Sequence, residues 1–411
     1  MSINMNDSVE LHDARNSAKT DLLAPWTYES EDFFKLEIEN LFKPNWLLAG
    51  HICDLTKAGD FVTFDAFNER VVIVRNRTGA INAFHNVCRH RAGRVVKDSQ
   101  GNCPGAMVCP FHGWSYSLDG RLQGVPAAGT FENLNKSEIG LAPVELEIWM
   151  GFIFIRLVSG GESLAQMMAP VAEEVSQYQP ELLQALDAVE FEIKPYNWKA
   201  IHDIDNEGYH VPIGHPSLHQ LYGQDYADTV EDGIMVSRGN ISSRPARNWS
   251  VRHYQKLLPD FEHLPENKKK SWYYVQHFPN LIFAFYPDMM EIYMTIPQSP
   301  TATLYVSRSF ALPDDRREVR AARFLNRRIN QETADEDESF VGWLQEGMKS
   351  SAWTPPHLSS LEHGVRHYHH RIQAQLPVAR LAQQPLNTNL ADINRQLREE
   401  NYLTPGLEDF D

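Results

Sequence analysis

Two short stretches rich in cysteine and histidine constrain this chain more than anything else in it. The first reads Cys88-Arg89-His90-Arg91 and the second Cys109-Pro110-Phe111-His112-Gly113-Trp114, with eighteen residues between His90 and Cys109. Each is a pincer, C-x-H or C-x2-H, that sets one thiolate beside one imidazole, and two such loops can clamp a metal centre between them. Zinc accepts two cysteines and two histidines, but its sites usually pair like with like. Here each arm mixes the two. That suits a [2Fe–2S] cluster in which cysteines hold one iron and histidines the other. The cluster is preferred to zinc and to scattered buried residues, and it implies electron transfer at the least.

The rest of the chain has to house that centre and explain its own length. With 411 residues it suggests two or three domains. A hydrophobic content of 42% with 11% aromatics supports a real core, and no run of eighteen apolar residues suggests a membrane span. The first twenty residues are polar and lack the apolar core of a secretory signal. Cys53 and Cys103 are left over from the cluster, too few for a disulfide framework, so a reducing cytoplasm is expected. A net charge of −16 argues against nucleic acid and anionic membranes as partners.

Periodicity predicts a helix over residues 29–43, then short β-rich runs from Trp46 to about Val158, such as Phe61–Phe64, Arg70–Val74 and Gly151–Ile155. Ser159-Gly160-Gly161-Glu162 reads as a linker, followed by a helical stretch to about Leu186 and a loop-rich region. Strands follow near Tyr273–Val275, Leu281–Tyr286 and Glu291–Ile296, with helices from Arg316 onward. The expected division is an N-terminal tail and helix over 1–45, a cluster domain over 46–158, and an α+β domain over 159–411.

The larger domain carries a second candidate site in Asn197-Trp198-Lys199-Ala200-Ile201-His202-Asp203-Ile204-Asp205-Asn206-Glu207-Gly208-Tyr209-His210, continuing to His215-Pro216. Two histidines and a carboxylate with open positions make the facial triad of non-haem Fe(II) oxygenases. His210 and His215 do not share one helical face, so His210 is expected at a helix end and His215 on the loop after it. His202 and His210 would lie too far apart on a helix to share an ion. Taken alone, a pair spaced as His210 and His215 is more often structural.

These motifs together resemble the oxygenase component (α subunit) of Rieske non-haem iron oxygenases, from about Trp26 to about Arg371. The landmarks are Cys88/His90/Cys109/His112, Asn197-Trp198-Lys199, Glu207-x-Tyr209-His210-x4-His215, and Glu336-Asp337 through Gln345-Glu346-Gly347. The resemblance implies an α+β chain: a β-rich Rieske domain, then a helix-grip catalytic domain with an antiparallel sheet. It implies that Cys88, His90, Cys109 and His112 hold the [2Fe–2S] cluster and that His210, His215 and Asp337 hold a mononuclear Fe(II). Read alone, Asp337 is one acid among Asp335-Glu336-Asp337-Glu338, a solvated helix face. The family further implies O2 as co-substrate, electrons from NAD(P)H through a separate flavin/iron–sulfur reductase, and a homotrimer with electron transfer between subunits. Glu207 would bridge the iron site to the Rieske histidine of a neighbouring subunit, since a subunit's own centres are too far apart. It is expected on the same helical face as His210. Most members carry Asp there, and the group acting on quaternary ammonium compounds often carries Glu. Asp203-Ile204 stands where the family usually has Glu-Asn, so the asparagine that often sits near the iron is missing, with Asn206 and Asp205 as the candidates to replace it.

Substrate class is open at this level. Trp249, Tyr254, Trp272, Tyr273, Tyr274, Phe283, Phe285, Tyr286, Tyr293 and Trp353 offer material for an aromatic cage around a quaternary ammonium group. Phe283 and Phe285, alternating on a strand, are more often core. Arg244, Arg247, Arg252 and Arg308 offer forks for a carboxylate. The preferred reading is a monooxygenase or N-demethylase of a compound such as stachydrine, glycine betaine or carnitine. A ring hydroxylase or O-demethylase of aromatic acids is the alternative within the family, and a non-enzymatic Rieske electron carrier the alternative outside it. No Gly-rich dinucleotide fingerprint is present, so hydride from NAD(P)H has to enter through a partner.

Overall fold

The computed structural model describes residues 21–386 and 389–399; the expected polar tail over 1–20 lies outside them. The described residues form two compact units. Phe42–Gln184 make one, and 21–41 with 185–386 and 389–399 make the other.

The smaller unit is built from short antiparallel sheets. One runs in the order Ile81–His85, Glu69–Arg75, Asp60–Ala66, Gln100–Asn102, a second joins Ala106–Val108, Ser115–Ser117 and Leu122–Gly124, and a third joins Leu47–His51, Phe152–Arg156 and Glu145–Trp149. The hydrophobic runs Val71–Val74 and Phe152–Ile155 are buried along their whole length, as strands covered on both faces must be. Residues 159–184 belong to this unit, so the division falls at 184/185 and not at 158/159. The reason is visible at Ser159–Glu162, which is not a free linker. Arg156 grips Glu145 with two hydrogen bonds of 2.8 and 2.6 Å and the Glu162 carbonyl at 2.9 Å. Gly160 and Gly161 take the positive φ that this tight turn requires. The short helices Leu164–Met167 and Ala169–Ser176 then bury Leu164, Met168, Val171 and Val175 in the same unit.

The larger unit is a single antiparallel sheet carrying helices. Its strands run in the order Glu190–Lys194, Ala302–Ala311, Met290–Ser299, Leu281–Phe285, Ser271–His277, Ile234–Asn240, Tyr226–Glu231. Sequence patterning leaves Glu190–Lys194, Tyr226–Glu231, Ile234–Asn240 and Ala302–Ala311 as loops; in all but Ile234–Asn240, exposed or polar positions dilute the apolar signal. Register decides what faces what. Ser237 pairs with Tyr274, Tyr274 with Ala284, Ala284 with Glu291, and Glu291 with Ser309. Paired residues share a sheet face, so this row and its period-2 neighbours Ile282, Tyr293, Tyr305 and Ser307 line one side. Phe283, Phe285 and Tyr273 fall on the other side, fully buried in core.

The helix Trp198–Asp205 starts where the Asn197 side chain accepts from the Lys199 N–H at 3.0 Å. Asn197 also donates to the Tyr28 and Pro300 carbonyls at 3.0 and 2.7 Å, and its own N–H donates to Gln345 at 2.7 Å. Opposite lies the long helix Arg317–Met348, whose buried stripe Val319, Ala322, Leu325, Asn326, Ile329 breaks off and resumes only at Val341. The predicted N-terminal helix spans Glu31–Glu37, extended by a π-helical turn to Phe42. No helix among the described residues is long and apolar enough to cross a membrane.

Candidate metal centres

The two pincers of the smaller unit close in the same way. Cys88 N–H donates to the Gly93 carbonyl at 2.8 Å and Ala92 N–H to the Cys88 carbonyl at 2.9 Å. Cys109 N–H donates to the Trp114 carbonyl and Gly113 N–H to the Cys109 carbonyl, both at 2.9 Å. In each loop the fourth residue after the cysteine is left-handed, Gly113 at φ +71° and Ala92 at φ +57°. Both cysteines are buried free thiols. The His90 and His112 rings stand 4.6 Å apart at 76°, and His90 stacks on Trp114 at 5.0 Å. Tyr116 Oη lies 3.3 Å from Cys88 Sγ and accepts the Arg89 N–H at 2.9 Å. Burial pushes the Cys109 thiol up, with Cys88 beside it adding to this, while the Phe111 and His112 N–H groups pull the other way. His90 Nδ1 is buried with no hydrogen-bond partner. An orphaned ring nitrogen and two buried thiols on these two loops fit a cluster with one cysteine-bound and one histidine-bound iron.

In the larger unit His210, His215 and Asp337 bring one ligand atom each within 4.8 Å of the others. His210 is the N-cap residue of the short helix Val211–Gly214, and His215 ends that helix and opens the next, Pro216–Tyr222. The expected single helical face for Glu207 and His210 is therefore not formed. The Trp198–Asp205 helix has already ended, and Glu207 reaches His210 from the turn after it. Gly214 permits the arrangement, because a Cβ there would lie 2.8 Å from the Phe340 ring and 3.2 Å from His210. Asp337 enters from the middle of the Arg317–Met348 helix, as expected.

Each ring is oriented from behind by a carboxylate. Glu207 Oε1 lies 2.5 Å from His210 Nδ1, and Glu336 Oε2 2.8 Å from His215 Nδ1. Glu207 also accepts the His210 backbone N–H at 3.1 Å. With the protons held at Nδ1, both Nε2 lone pairs turn inward. They lie 2.9 Å apart, with Asp337 Oδ1 at 2.9 Å from His215 and 3.6 Å from His210. Three electron pairs aimed at one point repel unless positive charge sits among them. Burial disfavours a charged His210, yet Asp337 and Glu207 outweigh it and hold this ring up at about 10. His215 is raised by Asp337 and Glu336 against burial in the same way. Burial likewise works against the Asp337 charge, but the two imidazoles hold its carboxyl below the usual range. A field that strong for a proton serves a divalent cation equally, and two histidines plus one carboxylate fit Fe(II) with open positions.

The triad faces a cavity of about 790 Å³ within the same unit. On the long helix the lining residues Asn330, Thr333, Ala334, Asp337, Glu338 and Val341 follow the i, i+3, i+4 rule. That polar face accounts for the break in the apolar stripe. The sheet contributes Tyr274, Glu291, Tyr293, Tyr305 and Ser307, and the Trp198–Asp205 helix contributes Ile201, Ile204 and Asp205. Asp205 is exposed and lines the cavity; the protein around it, with Asp337 close by, pushes it up to about 8 against His210 and His215.

Two family models match the chain, the Rieske [2Fe-2S] domain over residues 45–138 and the ring hydroxylating alpha subunit (catalytic domain) over residues 175–377. The chain belongs to the Rieske non-haem iron oxygenases. Among curated relatives, the glycine betaine monooxygenase oxygenase subunit of Chromohalobacter salexigens is 26% identical over 371 residues, covering 82% of each chain. The carnitine monooxygenase oxygenase subunit of Escherichia coli strain K12 is 33% identical over 192 residues, 46% of this chain and about half of that one (51%). A solved quaternary ammonium Rieske monooxygenase in complex with L-carnitine superposes with a TM-score of 0.71 at 22% identity, covering 88% of this chain and 97% of that one. Naphthalene 1,2-dioxygenase from a Rhodococcus species gives 0.70 at 20%, covering 92% and 98%. At such identities these two structures speak to the fold alone.

As a Rieske oxygenase, the chain shows where sequence reading reached the site and where it stopped. Of the aromatics proposed for a cage, Tyr274 and Tyr293 line the cavity, while Tyr254, Trp272 and Tyr286 are core and Trp249 is exposed. Arg244, Arg247 and Arg252 are exposed and outside the cavity; Arg308 lines it. Tyr226, Tyr305, Glu291 and the contact of Glu336 with His215 were missed. The alternation Thr303-Tyr305-Ser307-Ser309 carried a signal for Tyr305, had that segment been read as a strand. Asp203, the departure from the family, points away from the cavity to Tyr28 Oη at 2.6 Å and His369 at 2.7 Å.

Proposed function

We propose that this chain is the terminal oxygenase of a multicomponent system that hydroxylates an N-methyl group of a quaternary ammonium compound. The observation that carries the reading is a two-histidine, one-carboxylate cluster opening onto a cavity walled by tyrosines. It is joined by curated relatives named for glycine betaine, carnitine and choline. In this reading Cys88, His90, Cys109 and His112 hold the cluster, and His210, His215 and Asp337 hold Fe(II). Phe42–Gln184 serves as the electron-transfer module and the other unit as the catalytic one. Bound there, the cluster supplies single electrons and the iron activates O2 toward a C–H bond.

The side chains do the positioning. Glu207 and Glu336 keep both Nε2 atoms turned inward, and Ile201, Ile204 and Val341 add apolar surface to the cavity lining. O2, two electrons and two protons convert R–CH3 to R–CH2OH and water, and the N-hydroxymethyl product releases formaldehyde. The electrons come from NAD(P)H through a separate flavin/iron–sulfur reductase in the cytoplasm. They cross between subunits of a trimer at Glu207, whose carboxylate already touches an iron-side ring. Glu207→Gln should slow electron delivery more than substrate binding.

The test is a single turnover of pre-reduced protein with O2 against betaines, quaternary amines and aromatic acids, following cluster reoxidation and formaldehyde together. Formaldehyde from the quaternary compounds alone is the expected outcome. Fast reoxidation with aromatic acids only would move the chain to the ring hydroxylases.

A further inference from the structure

Charge in the cavity is strongly one-sided. Its lining includes nine carboxylate side chains against three from lysine or arginine. Two of those three cations are already engaged: Arg327 pairs with Asp187, and Lys194 lies 2.7 Å from Glu192 and 3.4 Å from Glu338. Arg308 donates to the Asp187 carbonyl at 3.3 Å, and its guanidinium lies over the Phe310 ring. Glu207 and Asp337 belong to the iron site.

Glu291 is placed differently from the other acids. It sits near the start of the strand Met290–Ser299, on the sheet face that lines the cavity, and its hydrogen bonds come from neutral donors: Ser309 Oγ at 3.0 Å, Asn330 Nδ2 at 3.2 Å and Tyr286 Oη at 3.4 Å. Phenol rings surround it. Tyr293 follows two residues later on the same strand, and its ring lies 6.4 Å from that of Tyr305 and nearly parallel to it, at 15°. Tyr274 stands on the same sheet face, two strands away. Tyr305 feels the charges of Asp205, Glu291 and Asp337, and its ring lines the same cavity as half-buried Glu291 and the triad. Burial pushes Glu291 up to about 7, against Ser309 and the Arg327 charge. A carboxylate whose lone pairs are used by neutral donors, among ring faces, is completed by a cation that donates no hydrogen bond. A trimethylammonium head has that chemistry, since it is held by field and by cation–π attraction alone.

Building on the quaternary ammonium reading, we propose that Glu291 is the counter-charge for the substrate's ammonium head, with Tyr274, Tyr293 and Tyr305 as its walls. The cavity then selects substrates of net positive charge, N-trimethylated amines or amino alcohols, over zwitterionic betaines. The carboxylate of a betaine would enter a cavity rich in like charge, where Arg327 and Lys194 already have partners.

The experiment uses the iron- and cluster-loaded protein with matched pairs: choline against glycine betaine, and (3-hydroxypropyl)trimethylammonium against 3-(trimethylammonio)propionate. Calorimetry gives dissociation constants, and single turnover gives rates. The expected result is at least tenfold tighter binding of the cation in each pair. Glu291→Gln, nearly isosteric and free to keep the hydrogen bonds, should weaken the cations at least tenfold and leave the zwitterions within threefold. Tyr305→Leu should weaken the cations as well, and Tyr305→Phe should not. Betaines bound as tightly as their cationic partners, or cation binding indifferent to both Glu291→Gln and Tyr305→Leu, would overturn the proposal while leaving the quaternary ammonium reading intact. Binding of aromatic acids with no response to any quaternary compound would overturn both.

Discussion

Glu336 offers a sharp test of the iron site, because it acts on the metal only through His215. It precedes Asp337 on one helix, so their side chains diverge by about 100°. Asp337 turns into the cavity while Glu336 accepts from His215 Nδ1 at 2.8 Å. The His215 side chain is only 2% exposed, so its Nδ1 proton has no direct access to bulk water while Glu336 is in place. Glu336→Ala would leave a buried N–H unpaired, at a cost of about 1–3 kcal/mol. The ring can escape the cost by moving its proton to Nε2, which removes the lone pair from the metal. Both routes predict a loss of about 10–100-fold in Fe(II) affinity, the range known for groups that orient metal-bound histidines. Glu336→Gln keeps an oxygen acceptor and should lose less than tenfold. The assay is Fe(II) titration of iron-depleted protein against a competing chelator. The cluster's visible spectrum reports that the fold is intact, and Asp337→Ala sets the limit of no measurable site. If Glu336→Ala bound Fe(II) within twofold of the parent, the orientation argument would be wrong.

Other positions give independent checks. Gly214→Ala should weaken Fe(II) binding about tenfold by driving a methyl between Phe340 and His210, and adding Phe340→Leu should recover most of that in the same titration. Lys199 and Glu37 form a 2.5 Å ion pair, 0% and 1% exposed, so Lys199→Met should destabilise the fold by about 3–5 kcal/mol in denaturant unfolding. Replacing Glu37 by Leu as well should recover much of it, and a single-variant loss under about 1 kcal/mol would refute the buried-charge reasoning. Burial lowers His202 from 6.5 to about 4, against the charge of Asp203, with its Nε2 2.8 Å from Thr295. The unfolded chain then binds the extra proton first. Stability from this group is complete above about pH 6.5 and is lost as pH falls toward 4, by roughly 2 kcal/mol at pH 5. A His202→Gln variant should show a correspondingly flatter profile between pH 7 and 5, and an unchanged slope would remove His202 as the cause.

The cluster loops were legible because two cysteines and two histidines at fixed spacing have few chemical uses, and the runs Val71–Val74 and Phe152–Ile155 were legible as strands because they are apolar throughout. The iron triad was legible only as a pattern. Nothing in Asp335–Glu338 separates Asp337 from its neighbours until the helix is rotated, and then the missing apolar positions between Ile329 and Val341 explain themselves as a cavity face. Glu291 and Tyr305 were beyond reach for a different reason. Their significance lies in cross-strand pairing, Glu291 opposite Ser309 and Thr295 opposite Tyr305. Register is a property of strand pairs, which a reading of one segment at a time does not contain. Ser159–Glu162 failed in the opposite direction. Two glycines look like a linker until Arg156, many residues from Glu145 in sequence terms but beside it in the sheet, is seen holding the turn.

The departure at Asp203 shows how one helix can serve two purposes. The Trp198–Asp205 segment sends Asp205 to the cavity and Asp203, two residues earlier and so on another face, to Tyr28 and His369. Lys199 on that buried side takes Glu37, and Asn197 at its start takes the Tyr28 carbonyl. Every one of these contacts reaches into residues 21–41 or the helix His363–Gln375. They fix the helix along its axis and in its rotation, while none of them touches the cavity. The turn that carries Glu207 and His210 begins where this helix ends. Its position is therefore set by a buried polar network that the cavity does not share. Cavity residues such as Glu291 and Tyr305 can then vary with substrate without disturbing the geometry of His210 and His215.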